Sequence, residues 1–170
     1  METISSDTSV WIDFITINAI ELPFLLDCIY VMYSEAILDE LCSPVGLGSQ
    51  LVDFGLIPVD LTIEEFEEAE RYGNLYPRLS IYDRIALAIA KRREITLLSG
   101  DGALRKAAAN EKVNVMGTLG ILDRLLENQH IDSTKYMDCL NDLALFNGLK
   151  IRLPTHEINI RIEKIKSQSK

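Results

Sequence analysis

The stretch Leu97-Leu98-Ser99-Gly100-Asp101-Gly102-Ala103-Leu104-Arg105-Lys106-Ala107-Ala108 reads "LLSGDGALRKAA", and its reading decides the fold class. An apolar run stops, a lone carboxylate stands between two glycines, and a helix-forming run begins. Two readings fit. Asp101 is a good helix N-cap, because its side chain accepts a backbone N–H from the first turn, and the glycines are then turn residues. Alternatively the acid marks the carboxyl end of a buried strand, where open α/β sheets place their ligands. On that reading the glycines let the backbone turn tightly so that the carboxylate points back over the sheet edge.

Outward from this junction, elements alternate. "ITLLS" (Ile95 to Ser99) is the clearest buried strand, preceded by the strongly apolar helix "LSIYDRIALAIAKRRE" (Leu79 to Glu94). Thr3 to Ser6 is a short strand running into Asp7, and Ser9 to Ile20 reads as helical. "CIYVMY" (Cys28 to Tyr33) is rich in β-branched and aromatic residues and reads as a strand. "SEAILDEL" follows as a helix with Ser34 as its cap, then a loop from Pro44 to Gly48. Thr62 to Tyr76 is an acidic helix, and Val113 to Val115 a last short strand. Gly117 to Asn128, Ser133 to Asn147 and the tail from Pro154 on read as helices. Strands separated by helices point to βαβ units and a largely parallel sheet.

Composition bounds the function. A chain of 170 residues that is 48% hydrophobic fits one globular domain rather than a disordered chain. The longest uncharged run, Leu41 to Val52, contains Pro44, Gly46 and Gly48 and is shorter than the ~20 apolar residues of a membrane helix. Glu2 and Asp7 replace the basic start of a secretory signal. Cys28, Cys42 and Cys139 are odd in number and widely spaced, which predicts unbridged thiols in a reducing compartment, the cytoplasm. The net charge of −9 argues against non-specific nucleic-acid binding, which leans on basic surface.

The informative residues are therefore carboxylates that face inward. At about 100° per residue, Ala36, Ile37, Leu38 and Leu41 form one apolar arc, Glu35 and Asp39 lie opposite, and Glu40 falls inside the arc. A buried carboxylate must be paired, protonated or metal-bound; the alternative for Glu40 is a side chain that reaches solvent or an arginine. Asp83 falls beside Leu87 and Ala90, away from the Arg84–Lys91 stripe, or else completes a capping box with Ser80. Asp7 ends the first strand, or caps the next helix. Four acids, Asp7, Glu40, Asp83 and Asp101, thus occupy strand ends or inward helix faces. If they converge, they raise one another's pKa, and a divalent cation relieves the repulsion. All-oxygen ligation suits Mg²⁺ or Mn²⁺. His130 and His156 lie far along the chain from these acids, and no zinc-type His/Cys set is present.

"SDTSVWIDF", "SEAILDEL", "LSIYDRIALAIAKRREITLLSGDGALRKAA" and "VMGTLGILDRLLE" together resemble the successive motifs of PIN-domain ribonucleases, most of all the VapC-like toxins of toxin–antitoxin pairs. The similarity spans about Ile4 to Glu127, and more loosely the tail. It implies a Rossmann-like three-layer α/β/α sandwich with a mainly parallel central sheet. The expected division is a PIN-like nuclease domain over residues 1–128 and a C-terminal helical extension over residues 129–170 packed on the same domain. The resemblance also implies that Asp7, Glu40, Asp83 and Asp101 are catalytic residues holding one or two Mg²⁺ or Mn²⁺ ions, with Ser9 as a supporting hydroxyl. It implies an endoribonuclease leaving 5′-phosphate and 3′-hydroxyl ends, an antitoxin protein as partner, and a homodimer. Arg84 and Arg105 are candidate RNA contacts. "AKRRE" reads as a solvated helix end that complements its dipole, and Glu64, Glu65, Glu67, Glu68 and Glu70 as an acidic face for solubility or for a basic antitoxin segment.

Rival readings remain open at this point. A haloacid-dehalogenase-like phosphatase needs a second Asp two residues after the first, where this chain has Ser9. A receiver-type phospho-acceptor needs paired acids at the end of strand one. A housekeeping RNA-processing nuclease and a non-catalytic PIN-like binding module share the four acids or the fold.

Overall fold

The computed structural model describes residues 1–170. In chain order the elements are β1 (Glu2–Ser6), α1 (Ser9–Thr16), a single 3₁₀ turn (Leu22–Leu25), β2 (Cys28–Tyr33), α2 (Ser34–Glu40), α3 (Leu47–Phe54), β3 (Ile57–Val59), α4 (Ile63–Leu75), α5 (Ile81–Arg92), β4 (Thr96–Leu98), α6 (Gly102–Asn110), β5 (Val115–Met116), α7 (Thr118–Glu127), α8 (Ser133–Phe146) and α9 (Thr155–Gln168). The five strands form one sheet in the order β3-β2-β1-β4-β5, parallel at every pairing. This is the α/β architecture that the alternation of elements predicts.

The chain forms two compact units, Met1–Val10 with Asp27–Gly117, and Trp11–Leu26 with Thr118–Lys170. The first holds the sheet. From β1 the chain passes out to β2 and β3; from β4 it passes the other way to β5. The two neighbours β1 and β4, paired with Ser6 opposite Leu98, are therefore the topological switch point, whose carboxyl ends open a crevice in such sheets. Right-handed crossovers place α2 and α3 on one face and α4, α5 and α6 on the other.

Helix α5 is central to that second face. Leu87, Ala88, Ile89 and Ala90 are all buried, with Tyr72 of α4, Leu97 of β4 and Leu104 of α6 in the same apolar cluster. Its start is fixed by a capping box in which Ser80 and Asp83 exchange side-chain-to-backbone hydrogen bonds. Helix α4 starts the same way, on Thr62 and Glu65. In the second unit, Trp11 stacks on Phe24 with ring centroids 5.3 Å apart. Asp123 of α7 ties α8 and α9 together there. It accepts 2.6 Å from the Tyr136 hydroxyl and 2.8 Å from Arg161.

Several expectations change. The helix from Ser9 stops at Thr16, where Asn18 takes a left-handed φ of 55°. Ser34 is not a cap: it lies inside α2, and its hydroxyl donates 2.9 Å to the Val59 carbonyl of the neighbouring strand. Leu38 is 75% exposed, since it sits at the margin of the apolar arc and only Ala36, Ile37 and Leu41 are buried. The α4 acids divide. Glu65 and Glu68 are buried and paired with arginines, leaving Glu64, Glu67 and Glu70 as the exposed acidic face. The "KRR" run is likewise not merely solvated. Arg93 pairs with Glu65 at 2.6 Å, and Lys91 donates 2.7 Å to the Glu111 carbonyl.

Candidate metal and nucleic-acid site

The ladder between β1 and β4 runs on past the last strand residues, with the Asp7 N–H donating 2.9 Å to the Leu98 carbonyl. Asp7 is thereby held at the carboxyl edge, 5% exposed. Its Oδ1 accepts 2.6 Å from the Thr8 N–H. Its Oδ2 accepts from two hydroxyls, Ser9 at 2.8 Å and Ser99 at 2.9 Å. Each hydroxyl in turn accepts a backbone N–H, Gly100 onto Ser9 at 2.8 Å and Asp101 onto Ser99 at 3.1 Å. These bonds join the turn after β1 to the turn after β4 twice, through Asp7 Oδ2 and directly from the Gly100 N–H to Ser9 Oγ. That gives "LLSGDG" a physical purpose. Ser99 donates directly to Asp7, and Gly100 donates to Ser9, which in turn donates to Asp7.

The other three acids arrive on helices. Helix α5 runs antiparallel to the strands, so its first turn lies at the same edge. The Ser5 hydroxyl of β1 donates 2.8 Å to the Ala86 carbonyl and fixes that approach. Asp83 Oδ2 accepts 2.9 Å from the Ser80 N–H. Asp101 caps α6, its Oδ1 accepting 2.8 Å from the Leu104 N–H. Both helix-capping readings are thus realised, in each case through one carboxylate oxygen. Neither Gly100 nor Gly102 has a positive φ, and a side chain on Gly102 would meet open space, so the tight-turn argument for these glycines does not hold.

Electrostatics ties the four together. Burial raises the Glu40 carboxyl to about 7, reinforced by the charges of Asp7, Asp83 and Asp39. Asp83 is raised by burial and by the charges of Asp7 and Asp101, against the lowering hydrogen bonds from Ser80. No arginine or lysine neutralises Glu40 or Asp83 by an ion pair, and no three acids stand close enough as placed to share one ion. The donor set is nonetheless the kind a hard divalent cation takes, all oxygen and under mutual repulsion.

Arg105 donates 2.9 Å from Nη1 to the Ser99 carbonyl, and Gly117 leaves room for that guanidinium, since a Cβ there would lie 2.9 Å from the same nitrogen. It therefore braces the turn that holds Asp7, with its other N–H groups still able to donate. Arg84 packs over Gly73 of α4 and donates 3.3 Å from Nε to the Ser80 carbonyl. Two features escaped the sequence reading. Ser99 sits within the quoted stretch, but a serine beside a strand end looks like any turn residue. Tyr82 donates from its hydroxyl to Asp39, a contact between helices that no local pattern announces.

An open parallel sheet with mutually repelling acids at its switch-point edge is the architecture of a ligand-binding α/β domain. The family model for the PIN domain matches residues 3–166, and the chain belongs to that family. PIN domains are nuclease-type domains that act on nucleic acid and generally use divalent metals. No curated protein and no solved structure matches the chain. No helix is long and apolar enough to cross a membrane.

Proposed function

We propose that this PIN domain is a divalent-metal-dependent endoribonuclease, the toxin component of a toxin–antitoxin pair. The observation that carries the nuclease reading is the coupling of Asp7, Glu40, Asp83 and Asp101 at one sheet edge, where Glu40 is pushed up to about 7 and no internal cation offsets the acids.

Asp7, Glu40, Asp83 and Asp101 would hold Mg²⁺ or Mn²⁺. Such an ion would lower the pKa of a water and offset charge on the phosphate. The chain's own work is positioning. Asp7 is aimed by Ser9 and Ser99, and Asp83 and Asp101 are held by their helix starts with one oxygen each turned to the backbone. Glu40 must lose its proton for the cluster to bind a cation, so binding releases a proton and strengthens as pH rises through about 7. Arg105, braced on Ser99, and Arg84 are the proposed phosphate contacts. The exposed acids Glu64, Glu67 and Glu70 suit a basic segment of an antitoxin, and a homodimer follows from the same resemblance.

The test is cleavage of single-stranded RNA by the full chain in Mg²⁺ or Mn²⁺. EDTA stops it, the products carry 5′-phosphate and 3′-hydroxyl ends, and Asp7→Asn and Asp83→Asn abolish it while the fold survives. Undiminished cleavage by both variants overturns the assignment.

A further inference from the structure

Beside the carboxylates lies a tyrosine pair without a role in the account so far. Tyr33 is the last residue of β2, and Tyr82 stands in the first turn of α5, directly before Asp83. Their ring centroids are 6.3 Å apart with planes inclined at 45°. Tyr82 donates its hydroxyl to Asp39, the residue directly before Glu40. The pair therefore spans the two helices, α2 and α5, that bring Glu40 and Asp83 to the sheet edge.

Both rings are half-buried and pack on the apolar cluster of α4, α5 and α6, which makes them rigid while leaving part of each in solvent. Their polar ends are occupied, Tyr82 on Asp39 and Tyr33 beside Glu35. What remains to offer a ligand is aromatic surface. Glu35, Asp39 and Asp60 surround it with negative charge, so a phosphate is unfavourable there. A flat, uncharged, unpaired nucleobase fits, and aromatic side chains bind such bases by stacking.

Resting on the nuclease reading, we propose that Tyr33 and Tyr82 form a stacking platform for an unpaired nucleobase of the RNA strand beside the scissile phosphate. The platform makes the enzyme require an unstacked base, and hence a single strand or loop, at that position.

The test uses the full chain, Mn²⁺, and a set of single-stranded RNAs carrying one abasic nucleotide at successive positions around the cleavage site. Tyr82→Ala and the volume-retaining Tyr82→Leu are expected to raise KM about ten-fold, the scale of one lost base stack, with kcat within about two-fold. Tyr82→Phe keeps the ring, loses the bond to Asp39, and stays near wild type. At one position the abasic RNA loses the same affinity toward wild type and nothing further toward Tyr82→Ala. If Tyr82→Phe is impaired as much as Tyr82→Ala, the tyrosine acts by holding α2 against α5 and the stacking role is overturned. The same follows if no abasic position distinguishes wild type from variant. A wild-type chain that cleaves no RNA fails the nuclease reading and this inference with it. An active wild type with KM unmoved in Tyr82→Ala and Tyr82→Leu overturns the platform alone.

Discussion

Two groups of acids in this molecule show how differently one residue type can be housed. On α4, Glu65 is 2% exposed and accepts 2.6 and 3.1 Å from Arg93. Burial alone would raise its carboxyl, but the Arg93 hydrogen bonds and charge outweigh burial and hold it low. Glu68 is held low in the same way by Arg71. At the sheet edge, Glu40 and Asp83 are raised, with acids for neighbours. The α4 acids are neutralised from within the chain and stabilise it. The edge acids are left to repel one another, an arrangement that costs stability and makes sense if the compensating charge comes from outside.

The comparison breaks first at Asp7. Asp7→Asn removes a negative charge at the point where both turns are tied together, and several kcal/mol of transition-state stabilisation, about a thousand-fold in rate, should disappear from RNA cleavage. Denaturant midpoints should shift by no more than about 1–2 kcal/mol, because the relief of repulsion offsets the loss of one accepting oxygen, the amide keeping the Ser9 and Ser99 hydroxyls but turning its NH2 toward the Thr8 N–H. A loss of fold without metal would instead mark Asp7 as structural.

Arg93→Ala attacks the other group. It leaves Glu65 buried without its partner, and urea unfolding should show a loss of about 2–3 kcal/mol, below the ~3–5 kcal/mol of a broken fully buried pair because Arg93 is 31% exposed. RNA cleavage at a temperature where the variant stays folded should be little changed.

The pH dependence sharpens the contrast by sign. Glu40 has a folded pKa near 7 against an ordinary 4.5, so the folded state binds the extra proton and stability falls as pH rises between those values. Glu65 is lowered, so its contribution is present above the ordinary value and is lost as pH falls through the folded one. Glu40→Gln should therefore flatten the decline between about pH 4.5 and 7 and stabilise the metal-free chain by about 1–2 kcal/mol near pH 8. An unchanged pH profile in Glu40→Gln would show that the edge acids are not coupled as described.

The smallest stability effect belongs to Asp101→Asn. Asparagine caps about as well as aspartate, so thermal unfolding without metal should shift by less than about 0.5 kcal/mol. Mn²⁺ affinity should fall all the same, since the free oxygen loses its charge. Equal affinity in the two chains would leave Asp101 a cap and nothing more.

How much of this was legible in the sequence follows from the length and periodicity of each element. α5 and β4 announce themselves, because a buried helix and a buried strand leave long apolar runs. α3 and β3 do not. Leu47–Phe54 is a helix of eight residues introduced by Pro44 and Gly46 and carrying Gly48 in its first turn, and β3 has three residues, one of them Pro58. The four acids stood out in the sequence as residues at strand ends, Asp7 and Asp101, or on inward helix faces, Glu40 and Asp83; in the structure Asp101 is exposed. Their roles were ambiguous because a cap and a metal ligand ask for the same side chain, and at Asp83 and Asp101 the structure has one oxygen serving the cap. The Ser99–Asp7 bond and the Tyr82–Asp39 contact depend on which segments meet at the sheet edge, and a local pattern carries no such information.

The central claim is that the unneutralised edge is a cation site. Isothermal titration of Mn²⁺ into the full chain at pH 6, 7 and 8, beside Asp7→Asn, tests it most directly. The account predicts saturable binding that tightens with pH and releases protons over the range in which Glu40 titrates, and that is lost or strongly weakened in Asp7→Asn. Absence of binding at pH 8, or equal binding by the variant, would contradict it.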